Sequence, residues 1–97
     1  MLKKLAGKSV ADTSKDAIAS RLRIAREALG FKSQRKFAKN AGLQPTAYNQ
    51  YEKAVNRPEI EAAIVLCERY KLTLDYIYRG ELSNIPGPVY EAARRKL

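Results

Sequence analysis

The chain has 97 residues, with 19 Lys or Arg against 10 Asp or Glu, no histidine and one cysteine, giving a net charge of +9 and a pI near 9.9. That length holds one domain and little more, a hydrophobic content of 45% suits a folded chain, and no apolar run approaches the ~20 residues of a membrane span. Lack of histidine removes the commonest general base and metal ligand, while the basic excess points to a polyanionic partner, nucleic acid before a membrane surface.

Residues 1–14 are small, polar and basic, without a period, and read as a mobile arm. They contain no apolar stretch long enough for a secretory signal. The spacing predicts a first helix over about 16–29, capped by Ser14 or Asp16. Ile18, Leu22, Ala25 and Leu29 share one face, and Gly30 ends it. A second helix is expected over 34–40, with Ser33 as N-cap and Phe37 and Ala38 inward. Asn40-Ala41-Gly42 breaks it, with positive φ at Asn40 or Gly42.

A third helix is expected over 45–53, with Pro45 at the first helical position. Residues 54–58 form a loop. A fourth helix is expected over 59–70, with Ile60, Ile64, Leu66 and either Cys67 or Val65 inward. Thr73 caps a fifth over 74–79 carrying Leu74, Ile77 and Tyr78, which Gly80 closes. Residues 83–88 read as a linker, and Val89 to Leu97 as a short final helix. No strand pattern or internal repeat is present. The expected organisation is therefore all-α: an arm (1–14), a helical domain (15–80) and a tail (81–97).

Charge is polarised along this order. Residues 21–39 hold seven cations and the single anion Glu27, whereas 59–75 hold four anions and two cations. Helices 2 and 3, joined through Ala41-Gly42-Leu43, have the form of a helix-turn-helix, two short helices with a glycine-containing turn. An ordinary helical corner has the same local pattern, so the surrounding motifs matter.

Those motifs are ordered along about sixty of the 97 residues. Arg21-Leu22-Arg23 with Arg26, Ser33-Gln34-x-x-Phe37-Ala38, Gly42-Leu43, Tyr51-Glu52-Lys53, Asn56-Arg57-Pro58 and Leu72-Thr73-Leu74-Asp75-Tyr76-Ile77 together resemble the helix-turn-helix family of phage lambda-type repressors and Cro proteins, the XRE family. The resemblance implies a five-helix DNA-binding domain, here flanked by the arm and the tail. Three features depart from the family pattern: the link Phe31-Lys32-Ser33 is one residue longer, Pro45 replaces a polar residue, and Ala54 stands where glycine is usual.

Helix 3 is then the expected recognition helix, laid in the major groove. Thr46, Asn49, Gln50 and Lys53 share one sector by helical spacing. Asn and Gln offer a donor and an acceptor together, matching adenine N6 and N7, and Thr46 offers a methyl to thymine. Gln44 stands at the cap position, within reach of a base or a phosphate. The expected base readers are Gln44, Thr46, Asn49 and Gln50. Ala47 and Tyr51 are expected inward, and Tyr48 either packs on helix 2 or bonds a phosphate through its hydroxyl.

Expected phosphate contacts are Lys32, Gln34, Arg35, Lys36, Tyr48, Lys53 and Arg57. Gln34 opens helix 2, where free amides and the helix dipole favour an anion, and the resemblance assigns the matching glutamine to the DNA backbone. The resemblance also implies an ion pair between Glu52 and a first-helix arginine, here Arg26, holding that arginine near the phosphates. Lys3, Lys4 and Lys8 of the arm have the charge to follow the DNA backbone or minor groove.

No glycine-rich phosphate loop, metal-ligand cluster or catalytic carboxylate pair is visible. Cys67, among Ile64, Val65 and Leu66, reads as a buried structural thiol in a reducing cytoplasm. No enzyme activity and no cofactor are expected. The expected function is a Cro/repressor-like, sequence-specific regulator of double-stranded DNA in a bacterial or phage setting. It occupies its operator as a homodimer, with no membrane partner. Helix 5 (Leu74, Ile77, Tyr78) and the tail (Ile85, Val89, Tyr90, Leu97) are alternative dimer surfaces. Two other readings remain: an antitoxin of the same fold with a toxin partner, to be told apart by co-purification, and a helical RNA-binding or adaptor module, which would ignore Gln50→Ala and prefer RNA.

Overall fold

Three helix starts are written in single hydroxyl side chains. Ser14, Ser33 and Thr73 each hold an extended backbone, and their oxygens accept the amides of Ala17, Lys36 and Tyr76. Each satisfies one otherwise free amide of a first turn, an interaction of about 1 kcal/mol. In the computed structural model, which describes residues 12–96, these caps begin α1 (Lys15–Ala28), α2 (Gln34–Asn40) and α5 (Leu74–Arg79). The other described helices are α3 (Pro45–Glu52), α4 (Ile60–Tyr70) and α6 (Gly87–Arg95), and no strand occurs among the described residues. The fold is the all-α, lambda-repressor-like arrangement that the motifs imply. Most of the basic arm, including Lys3, Lys4 and Lys8, and the terminal Leu97 lie outside the described residues.

Ser14 rather than Asp16 caps α1. The break after α2 is made by Gly42, at φ 82°. A side chain there would be strained, which is why glycine suits the turn. α2 packs on α3, and α1 crosses behind α3.

The core is built around aromatic rings. Phe37 of α2 stacks on Tyr70 of α4, with centroids 4.1 Å apart and planes 6° from parallel. Phe31, in the link between α1 and α2, meets both rings edge-on. The Tyr70 hydroxyl donates to the Phe37 carbonyl at 2.6 Å. Ile18, Leu22 and Ala25 of α1 join this cluster with Leu66 and Ile77, all essentially sealed from solvent.

Two inward faces differ from the sequence expectation. On α4 the buried residues are Ala63, Leu66 and Tyr70, while Ile60 and Ile64 are 49% and 41% exposed. The helix is rotated about its axis because Tyr70 must reach Phe37, and that turns the Ile60/Ile64 ridge outward. On α3, Ala47 is exposed, and the inward pair is Tyr48 with Tyr51. Cys67 is half-buried, and burial pushes its thiol up to about 11, which suits an inert thiol.

α6 lies along α1, with Val89 fully buried and Ala93 nearly so. Val89 and Ile77 therefore belong to the core rather than to a free surface. The Tyr78 hydroxyl donates to the Pro58 carbonyl at 2.7 Å, binding α5 to the loop before α4.

Candidate nucleic-acid interface

The site is assembled on one buried carboxylate. Glu52 ends α3 with its side chain 2% exposed. It accepts from Arg26 Nε at 2.8 Å, Arg26 Nη2 at 3.1 Å, Gln34 Nε2 at 3.0 Å and the Tyr48 hydroxyl at 2.5 Å. Four donors match the roughly four lone-pair sites of a carboxylate. Among the described residues no buried side-chain nitrogen or oxygen lacks a partner.

Arg26 is satisfied as fully. Its remaining terminal nitrogen, Nη1, donates to the carbonyls of Phe31 and Lys32, both at 3.0 Å. The longer link between α1 and α2 is thereby held from inside by the same guanidinium that holds the end of α3. The hydrogen bond to Glu52 raises the Arg26 pKa further above its ordinary value. Arg26 is only 6% exposed, so its guanidinium makes its bonds within the fold.

Tyr48 is removed from the phosphate set. Its side chain is fully buried, and its hydroxyl is bonded to Glu52 one helical turn on. Burial first, then that bond, drives its pKa well above the ordinary tyrosine value. The i, i+4 spacing of Tyr48 and Glu52 carries a hint of this contact.

Gln34 and Asn49 form a linkage that no spacing in the sequence announces. The Glu52 carboxylate can only accept, so the Gln34 carboxamide must turn its nitrogen towards it. That leaves Gln34 Oε1 to accept from Asn49 Nδ2, at 2.6 Å. The chain of bonds Glu52–Gln34–Asn49 fixes two carboxamide orientations, one on α2 and one on α3. Each amide nitrogen retains a second hydrogen for an external acceptor, and Asn49 retains its oxygen.

Around this frame lie the expected contact residues. Gln44 occupies the N-cap of α3 without making a capping bond, so its carboxamide stays unused and exposed. Thr46 is exposed, and Asn49 and Gln50 are half-buried. Gln34, Arg35, Pro45, Thr46 and Asn49 line a shallow groove of about 280 Å³ where the N-termini of α2 and α3 meet. Lys32, Arg35, Lys36, Lys53 and Arg57 are all exposed. Arg57 differs from the rest, because its Nε donates to the Thr13 carbonyl at 2.9 Å and ties the loop after α3 to the residues entering α1.

Ala54 shapes that loop. It adopts φ 61°, the left-handed conformation that glycine takes without cost. The turn after α3 is therefore kept despite the alanine, at the expense of backbone strain.

A helix-turn-helix family model, of the lambda-repressor-like XRE class, matches residues 22–77, more than half of the chain. The chain belongs to the XRE helix-turn-helix family. No curated protein and no solved structure gives a significant match. The matched span runs from within α1 to within α5 and includes the whole Arg26–Glu52–Gln34–Asn49 assembly. A helix-turn-helix domain of this family is DNA-binding and of transcription-regulator type, in a family that is typically non-enzymatic. No helix among the described residues is long and apolar enough to cross a membrane.

Proposed function

We propose that the protein is a sequence-specific, double-stranded DNA-binding transcriptional regulator of Cro/repressor type, which acts by occupying its operator as a homodimer. One observation carries this reading: the groove between the N-termini of α2 and α3 brings Gln34, Arg35, Thr46 and Asn49 together on a buried, fully bonded ion pair. In that reading α3 enters the major groove. Gln44, Thr46, Asn49 and Gln50 contact base edges, and Lys32, Gln34, Arg35, Lys36, Lys53 and Arg57 flank them on phosphates.

Dimerisation follows from the geometry of two-fold operators, whose half-sites lie one helical turn, roughly 34 Å, apart. With Ile77 and Val89 in the core, the large apolar side chains left exposed among the described residues are Val55, Ile60, Ile64, Leu74 and Tyr90, of which Ile60 and Ile64 on α4 with Leu74 on α5 make the candidate dimer face. The second copy is assigned to that face. Sedimentation of Ile64→Lys, a substitution at an exposed position, gives monomers if the assignment is right.

The deciding experiment is selection of binding sites from a random duplex-DNA pool at near-physiological salt. A two-fold-symmetric motif is the expected result, and substitutions at Gln44, Thr46, Asn49 and Gln50 then alter preference at individual base pairs. Recovery of no motif from folded protein overturns the reading.

A further inference from the structure

The end of the molecule formed by α1, α5 and α6 holds a second recess, and its described walls include no residue of α2 or α3. Its volume is about 340 Å³. Ile24, Leu82 and Ala93 give it an apolar side, and Arg21, Arg79 and Lys96 give it a cationic one. Among the described residues no acidic side chain lines it.

Arg21 is the informative residue. It is half-buried on α1, one turn and a residue before Arg26. Its guanidinium lies flat against Gly80, so close that a Cβ there would fall 3.0 Å from Nε and Nη2. Gly80, at φ 78°, thus both closes α5 and makes room for this group. Arg21 Nη1 donates to the Ile77 carbonyl at 3.2 Å, and Nη2 donates to the Asp12 carbonyl at 2.6 Å. Among the described residues no carboxylate stands within ion-pair distance of it, and the Asp12 carboxylate accepts instead from the Ser14 amide.

The contrast with Arg26 is instructive, because both arginines leave the same helix. Arg26 has a buried carboxylate that answers its charge, whereas Arg21 is partly desolvated and bonds two neutral carbonyls, with the Asp12 carboxylate acting on it from beyond ion-pair distance. That desolvation pulls the Arg21 pKa below the ordinary arginine value. Arg79 adds a second guanidinium, whose only ion pair among the described residues is a solvent-exposed contact with Asp75 at 3.4 Å, a type worth little in water.

We infer that this recess is a binding site for a small carboxylate carrying a short apolar body. The carboxylate meets Arg21 and Arg79, with Lys96 beside them, and the apolar body lies on Ile24 and Leu82. A planar guanidinium fork matches a carboxylate in geometry as well as charge. The volume falls in the range of small-molecule sites, which are mostly apolar with a few convergent polar groups. Because Ala93 of α6 and Lys96 at its C-terminal cap form one wall, an occupied site bonds α6 to α1 and α5. It leaves the α2–α3 surface free, so this inference stands independently of DNA binding.

The test uses the full chain with hexanoate as probe, against hexanol as the neutral body of the same length and inorganic phosphate as the bare anion. Expected results are saturable calorimetric binding of hexanoate, a rise in Tm with its concentration, and amide shifts centred on Arg21, Gly80, Leu82 and Ala93. Neither hexanol nor phosphate matches it. The exposed double variant Arg79→Gln/Lys96→Gln weakens hexanoate roughly tenfold by removing charge-assisted bonds, and Arg23→Gln, an exposed cation of α1 outside the recess, leaves it unchanged. Ala17→Leu, which fills the recess without altering charge, weakens it too. A response to phosphate or hexanol equal to that of hexanoate, shifts centred on α2 and α3, or affinity unaffected by both recess variants overturns the inference.

Discussion

Glu52 illustrates how much one side chain can hold. Replacing it by alanine strands the Arg26 charge inside the fold and frees Gln34 and Tyr48 together. Breaking a buried pair from one side costs about 3–5 kcal/mol, and for a chain of this size that lowers Tm by more than about 10 °C, measurable by thermal melts of Glu52→Ala. Ala54 works in the opposite sense. A left-handed alanine carries roughly 1–2 kcal/mol of strain, only part of which returns as the extra chain entropy of glycine. Ala54→Gly therefore stabilises by about 0.5–1 kcal/mol in denaturant titration, with the same native loop. Tyr48 sets an alkaline limit. Its folded-state pKa lies above the unfolded value of 10.0, so below pH 10 both states keep the proton and stability does not change with it. Above that value only the unfolded chain ionises and stability falls. Tyr48→Phe is less stable at neutral pH but declines less steeply above pH 10, as pH-dependent unfolding will show.

At the scale of helices, the start signals were legible because each is local: a hydroxyl cap or Pro45 acts within one turn. The faces were less legible. Ile60 and Ile64 look like a core ridge in sequence, yet the rotation of α4 is set by the Phe37–Tyr70 stack, a contact between residues far apart in the chain. Val89 and Tyr90 make the same point about α6. The two neighbours are 0% and 39% exposed, and only the packing of α6 on α1 decides which is which. Val89→Asp, burying an unpaired charge, destabilises by about 3 kcal/mol or more, whereas Tyr90→Asp changes stability by no more than about 0.5 kcal/mol. Equal melting temperatures for the two variants would contradict the register of α6.

On the scale of the whole molecule, polarity is the organising property. Cations gather along α1, α2 and the flanks of α3, whereas Glu61 and Glu68 of α4 and Asp75 of α5 are exposed anions. Lys32, Arg35, Lys36, Lys53 and Arg57 supply five exposed charges per protomer to the proposed interface. If all five neutralise phosphates, log Kobs for operator DNA falls against log salt with a slope of about −4.5 per protomer, and Arg35→Gln makes it shallower by about 1. A salt titration of operator binding measures both. The helix-turn-helix family was readable because its motifs are short and ordered in the chain. The Gln34–Asn49 bond was not, since nothing in the spacing of two amides on different helices says that they meet.

That bond bears on how such a protein could be redesigned. In the proposed reading Asn49 meets an operator in the orientation Gln34 allows, and Gln34 takes its own orientation from Glu52. Residues 45–52 grafted alone onto a related scaffold would carry the alphabet without the grammar. On that proposal a substitution at Gln34, on the neighbouring helix, changes which base pair is preferred and not simply how tightly DNA is held, so lineages diverging in operator choice have a route that never touches α3.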